Sequence, residues 1–147
     1  MKEITKRSGC PVSFSLDFIG DKWTLLILRD MIMSEKTTYG EFLGSDEKIA
    51  TNILADRLSM LEKYGFVNKQ VAPDKKSKFV YTITEKGIEL VPVIMELSIW
   101  GSKYNPPGNA KLLQELQQDK EGTIRRYQHR LKDLLAAAPC TDETKNS

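Results

Sequence analysis

The sequence predicts a mainly α-helical chain with one small β-hairpin, an α+β arrangement closed by an added C-terminal helix. Three observations predict it. Within IATNILADRLSMLEKYGFV, residues 49–67, Leu54, Leu58 and Leu61 recur at spacings of four and three, the period of one helix face. Directly after it, VNKQV and FVYTI read as short strands on either side of a lysine-rich turn, APDKKSK. Upstream, KWTLLILRDMIM is apolar on most sides, as a central core helix is. A polar-faced helix followed by a basic hairpin, with helices ahead of it, is the pattern of a winged helix-turn-helix. That module lays one helix in a major groove and the hairpin along the phosphates.

Taken in order, the chain opens on a charged arm with Lys2, Lys6 and Arg7 against Glu3. Val12 to Ile19 reads as a short apolar helix ended by Gly20, and Gly20 or Asp21 caps the core helix in which Trp23, Leu26, Ile27 and Ile32 are expected inside. Tyr39 to Leu43 is a short helix, and Gly44 to Lys48 turns the chain into the recognition candidate. In the hairpin, Val67, Lys69 and Val71 alternate with Asn68 and Gln70, and Phe79, Tyr81 and Ile83 alternate on the return, which predicts burial of one face. Thr84 is the expected N-cap of a helix through Ile88, Val91, Met95 and Trp100, with Pro92 giving a kink or a tight start. NPPGN at Asn105 to Asn109 is a linker. Ala110 to Ala138 is expected as one long helix, with Ile124, Tyr127, Leu131 and Leu134 as a heptad-like seam and Gly122 as a point of interruption. Its apolar stripe needs a partner surface, either a second copy or the chain's own domain. The expected division is a DNA-binding domain at 1–104 and a linker, helical extension and tail at 105–147.

Net charge is 22 − 20 = +2, so bulk charge does not point to a polyanion and the local distribution has to. It does so at the hairpin, where Lys69, Lys75, Lys76 and Lys78 face Asp74 alone. On the recognition candidate, Asn52, Ala55, Asp56, Ser59 and Lys63 fall opposite the leucines at about 100° per residue, and Thr51 lies near the helix start. Asparagine can pair with adenine through two hydrogen bonds, and a carboxylate can accept from the cytosine amino group. Asn52 is the first candidate for base readout, Thr51 and Ser59 reach phosphate or base edges, and Lys75, Lys76 and Lys78 neutralise phosphates. Arg57 either contacts phosphate or braces Asp56 or Glu62. Asp56 repels phosphate unless it meets a base or a neighbouring cation. A solvated helix face and a solubilising hairpin tip are the bland readings of the same residues.

The start has no apolar stretch suited to a signal peptide and no run spans a bilayer, so a cytoplasmic protein without membrane contact is expected. Cys10 and Cys140 are far apart and not in a metal-like spacing, which fits free thiols in a reducing compartment. Nothing calls for a cofactor or metal. The single histidine, His129, sits among arginines, and no nucleophile–base pair or phosphate-binding glycine loop is present, which argues against an enzyme.

The chain resembles the HxlR-type winged helix-turn-helix regulators of bacteria. Cys10-Pro11, GDKWTLLILRDM at Gly20 to Met31, YGEF at Tyr39 to Phe42, LADRLSMLEKYGFV at Leu54 to Val67, YTITEKG at Tyr81 to Gly87, and Trp100-Gly101 carry the resemblance in order. It implies a homodimeric transcription factor on double-stranded DNA, most often a repressor, with two half-sites about one turn, roughly 34 Å, apart. It also implies dimerisation through Val12 to Ile19 and the Ile88 to Trp100 helix, with the C-terminal extension as a further contributor. Where many members carry an arginine before the second helix, this chain has Lys36, Thr37 and Thr38, and where many carry paired prolines in the wing it has Asp74, Lys75 and Lys76. In several relatives a cysteine at the place of Cys10 senses oxidants or electrophiles. Lys6, Arg7 and a helix N-terminus near Cys10 would favour its thiolate, whereas a structural thiol is the plain alternative.

Two other functions stay open at this point. One is a regulator responsive to a small molecule held at the dimer interface by Trp23, Met95 and Trp100, residues that are as readily plain core. The other is a winged-helix protein-interaction module without DNA contact.

Overall fold

A computed structural model describes residues 3–74, 78–105 and 108–138. Pro11 at the first helical turn opens α1 (Pro11–Ile19), and the N–H of Gly20 closes it on the Leu16 carbonyl. Asp21 caps α2 (Lys22–Ser34) by accepting from the Thr24 N–H at 3.0 Å. Ile27, Leu28, Met31 and Ile32 of α2 are buried and form the centre of the core. Trp23, expected inside, is only partly buried and packs at the edge of that core. Glu35 then enters the left-handed region at φ 52° and ends the helix. Thr38 and Glu41 form a reciprocal capping box that starts α3 (Tyr39–Leu43).

Leu54, Leu58 and Leu61 bury the inner face of α4 (Thr51–Lys63) against α2 and α3. Gly65, at φ +83°, lets the chain reverse, and the Phe66 N–H closes on the Leu61 carbonyl at 2.8 Å. The reversal leads into β1 (Val67–Val71), paired antiparallel with β2 (Phe79–Ile83) in the register Val67↔Ile83 to Val71↔Phe79. The expected alternation of burial is replaced by a gradient. Val67, Tyr81 and Ile83 are buried at the base, while Lys69, Val71 and Phe79 on the same face are exposed toward the tip. The hairpin leaves the body partway along, so distance from the core outweighs the side a residue points to. The Tyr81 N–H also donates to the Thr37 carbonyl at 2.7 Å, which ties β2 to the segment ahead of α3.

Thr84 caps α5 (Glu85–Ile88), accepting from the Gly87 N–H at 3.3 Å. The single helix expected from here is two. α5 stops at Ile88, and α6 (Val91–Ser102) begins with Pro92 in its first turn, where a missing N–H costs nothing. The C-terminal helix is likewise two, α7 (Ala110–Gln118) and α8 (Lys120–Ala137). The break falls at Asp119, whose backbone leaves the helical region at φ −154° and ψ 85° and whose carboxylate caps α8 by accepting from the Gly122 N–H, while Gly122 itself is helical. Leu112, Leu116, Thr123 and Leu131 are buried, with α8 packed on α2, α5, α6, α7 and β2 of its own chain. The stripe that α8 buries runs through Leu131 and Leu135, while Leu134 stays 41% exposed. Lys120–Glu96 and Arg130–Glu35 ion pairs, both 2.7 Å, fasten the extension at two places. Among the described residues no helix is long and apolar enough to cross a membrane.

Candidate nucleic-acid interface

With its leucines turned inward, α4 leaves Thr51, Asn52, Ala55 and Ser59 exposed along one face. Its first turn has no side-chain cap and no acidic residue, so the N-terminal N–H groups carry no competing anion of their own. The Tyr39 hydroxyl donates to the Thr51 carbonyl, holding α3 against the start of α4.

Arg57 and Asp56 stand together at the edge of this face. The Arg57 guanidinium donates to Asp56 at 2.6 Å and to Asp21, the α2 cap, at 2.8 Å. The hydrogen bond from Arg57 holds the Asp21 carboxyl below its ordinary range, and Asp21 in turn raises the Arg57 guanidinium. The structure pairs Arg57 with Asp56, one of the neighbours expected, and with Asp21, a partner no local pattern announced. The same pair removes the difficulty of Asp56, whose charge is met by its neighbour.

The turn between α3 and α4 is set from beneath by Asp30. It is only 5% exposed, in the middle of the apolar helix α2. Arg29 donates to it at 2.7 Å, Lys36 at 3.4 Å, and the Ser45 hydroxyl also donates to it. Arg29 extends the network to Glu47, whose carboxyl it lowers to about 2. Lys36 donates to Ser45 at 2.7 Å as well, so it serves this network rather than the outer surface. A carboxylate interrupting an apolar helix was the available sequence signal for this network.

Of the wing lysines, Lys78 is exposed and its carbonyl accepts from the Ala72 N–H at 2.7 Å, closing the hairpin end. Lys75 and Lys76 lie outside the described residues. Lys69, which was not singled out for a role, is exposed with its ammonium 4.1 Å from the centre of the Phe79 ring.

Cys10 is exposed at the N-cap of α1, and its N–H donates to the Ser8 hydroxyl at 3.2 Å. Arg7, counted among the cations near it, is paired with Asp17 at 2.7 Å. Cys140 lies outside the described residues. Trp23, Met95 and Trp100 do not line one pocket. Met95 is fully buried, Trp100 is 64% exposed on the outer side of α6, and Trp23 borders a small cleft with Phe42 and Ile49. His129 is exposed beside Asp133, and among the described residues no cluster of three or more potential ligands could hold a metal.

Comparison with known proteins accords with this geometry. A family described as HxlR-like helix-turn-helix matches residues 18–109. The chain is 38% identical over 96 residues to YdeP of Bacillus subtilis, an uncharacterized HTH-type transcriptional regulator, covering 65% of this chain and 74% of that protein. It is 32% identical to YodB of the same organism, an HTH-type transcriptional regulator, covering 68% of this chain and 89% of YodB. Among solved structures, PA1607, described as a transcription factor by assignment, superposes with a TM-score of 0.61 at 36% identity, covering 71% of this chain and 72% of that one. The redox regulator HypR in its oxidized form superposes at 0.59 and 31% identity, covering 67% of this chain and all of HypR. A mainly helical body, a two-stranded wing and these relatives lead to one conclusion: the chain belongs to the HxlR-like helix-turn-helix family of transcriptional regulators.

Proposed function

We propose that this regulator binds a palindromic operator as a homodimer, reads bases with the outer face of α4 and holds phosphate with its wing. One observation carries the reading: Thr51, Asn52, Ala55 and Ser59 form an exposed polar face on a helix that packs directly against the strand bearing the basic hairpin. Asn52 takes the base-reading role, Thr51 and Ser59 flank it, and Lys75, Lys76 and Lys78 take phosphates. Arg57 and Asp56 support the face rather than touch DNA.

The dimer is supported by apolar surface that the single chain leaves open. Val12, Phe14 and Leu16 of α1 and Val93, Leu97 and Trp100 of α6 are all more than a third exposed. Surface of this kind on a small protein marks an association site. Two copies joined there carry two recognition helices, the arrangement a palindromic operator matches. Repression follows where such an operator overlaps a promoter.

Cys10 is the proposed redox element. HypR is described as a redox regulator in oxidized and reduced forms, and YodB in reduced and diamide-treated forms. In this chain the exposed thiol sits at the start of α1, the helix assigned to the dimer. Oxidation there to a disulfide or a capped thiol changes how two copies meet.

The test is selection of duplexes from a random pool by the full chain, followed by affinity measurements across a salt series. Asn52→Ala should relax preference at one base pair in each half-site. Substituting Lys75, Lys76 and Lys78 together should weaken binding evenly across sequences and flatten the salt dependence. Unaltered binding by both variants would favour the protein-interaction reading instead. Cys10→Ser should abolish any response of DNA binding to diamide, and an undiminished response would remove Cys10 from the mechanism.

A further inference from the structure

α2, α6 and α7 do not close completely on one another. A cleft of about 380 Å³ remains between Met33 of α2, the last turns of α6 and the start of α7. That volume falls in the range of small-molecule sites. α7 lies beyond the region matched to the family, so the extension supplies one wall. Gly101 lines the cleft from α6. A glycine inside a helix lowers stability by up to about 1 kcal/mol relative to alanine. A left-handed backbone or a crowded neighbour ordinarily justifies one. Neither operates here. Gly101 is helical and outside the left-handed region, and a Cβ there would meet no atom within 4 Å among the described residues. The missing side chain keeps space open in the cleft.

The lining selects a kind of molecule. Met33, Leu97, Leu112 and Leu113 give apolar walls. Among the described residues lining the cleft, Arg29 alone carries charge, and its guanidinium is committed to Asp30 and Glu47. An ion entering would leave water without an opposite charge to meet. The Ser98 and Ser102 hydroxyls donate to the carbonyls of Ile94 at 3.0 Å and Ile99 at 2.8 Å, which leaves each oxygen able to accept. The Asn109 carboxamide oxygen accepts from the Leu112 N–H at 3.1 Å, which leaves its NH2 group to donate. A hydroxyl answers both, donating to a serine and accepting from the asparagine. We propose that this cleft is an effector site for an uncharged alcohol with a compact apolar body. Such an occupant touches α2, whose Arg29 supports the turn into α4, and α6, which bears the proposed dimer surface. The site is distinct from the pocket expected from Trp23, Met95 and Trp100, none of which lines it. Binding stands apart from the DNA-binding reading, whereas its effect on operator affinity rests on that reading.

Calorimetry on the full chain at neutral pH tests the site with menthol, menthone and menthane carboxylate, which share one ring and differ in the polar group. Menthol should bind, menthone should bind about tenfold more weakly because it cannot donate, and the carboxylate should not bind. Gly101→Leu should abolish binding while the Tm stays equal or rises and the sedimentation of the free protein is unchanged. Ser98→Ala combined with Ser102→Ala should close the gap between menthol and menthone, which loss of fold would not mimic. Bound menthol should shift the affinity for a duplex selected by the wild-type chain by about fivefold or more, and should not do so in Gly101→Leu. The proposal fails if menthol does not bind or if the carboxylate binds as well. It fails equally if Gly101→Leu keeps menthol binding and disrupts the dimer, since the glycine then serves a contact between copies. Menthol binding with unchanged duplex affinity would overturn the effector role. Failure of the wild-type chain to retain any duplex would instead overturn the DNA-binding reading, and calorimetry would still decide the site.

Discussion

Arg57 shows why a cation on a recognition helix cannot be assigned from sequence alone. Its position allows phosphate contact, yet its guanidinium is held by Asp56 one residue away and Asp21 thirty-six residues earlier. An ion pair this exposed contributes about 0.2–1 kcal/mol. Arg57→Ala should therefore cost stability within that range in urea denaturation while leaving the salt slope of DNA binding unchanged. A slope reduced by about one would return Arg57 to the phosphates. Asn52→Ala should do the opposite, with unfolding unaltered and discrimination at one base pair reduced by about 1–3 kcal/mol. Glu47 makes a pH-dependent contribution beneath the helix-turn-helix turn. The hydrogen bond from Arg29 lowers its carboxyl from the ordinary 4.5 to about 2, so folding favours the charged form. Its contribution is complete above about pH 4.5 and is lost as pH falls toward 2. Glu47→Gln should lower the urea midpoint at neutral pH and flatten the fall in stability between those limits. A midpoint that drops equally at every pH would show that Glu47 acts only through packing.

At the scale of elements, the fit of α5 against the wing base is set by Gly87. A Cβ at that position would lie 2.6 Å from the Phe66 carbonyl oxygen and 2.5 Å from Cγ1 of Ile83. The backbone oxygen cannot move aside without disturbing its bond from the Thr84 N–H at 2.9 Å. Gly87→Ala should cost about 1–3 kcal/mol in equilibrium unfolding despite the better helix propensity of alanine. A neutral or stabilising result would contradict this close approach. The elements from α1 to α4 are legible because their signals are local, whereas α5 reads in the sequence as the start of one longer helix. Asp21 and Thr84 mark starts, and the leucine period marks the inner face of α4, while the start at Pro11 and the Thr38 capping box emerge only from the structure. The wing strands were legible in extent and not in burial, because exposure there depends on how far the hairpin reaches beyond the core. The sequence suggests one long helix from Ala110 to Ala138 with Gly122 as a point of interruption, and the break is not there. It occurs at Asp119, where a carboxylate cap competes successfully with continued helix. The base-reading candidates were legible as a face, while the Asp30 network and the Arg57–Asp21 pair depend on contacts distant in sequence.

The whole molecule is a winged body to which a C-terminal helical pair has been added. That pair lies beyond the region matched to the family and packs on both α6 and β2 of the same chain, joining the proposed dimer face to the wing. Most of its own apolar stripe is thus satisfied in cis, Leu134 excepted, and among the described residues most of the exposed large apolar side chains outside the wing lie on α1 and α6. Leu97→Ser with Trp100→Ser should shift the protein from dimer to monomer in sedimentation at micromolar concentration. The doubled variant should also bind a single half-site as well as it binds the palindrome. A dimer that survives these changes would move the interface elsewhere. Operator recognition depends on two exposed polar helix faces and two basic hairpins meeting one duplex. The most direct test is methylation interference on a duplex selected by the wild-type chain, with the stoichiometry of the complex measured by light scattering. Recognition by a dimer predicts two chains per duplex and two interfering major-groove clusters about one turn, roughly 34 Å, apart, each weakened by Asn52→Ala. A single cluster, one chain per duplex, or interference indifferent to Asn52 would contradict it.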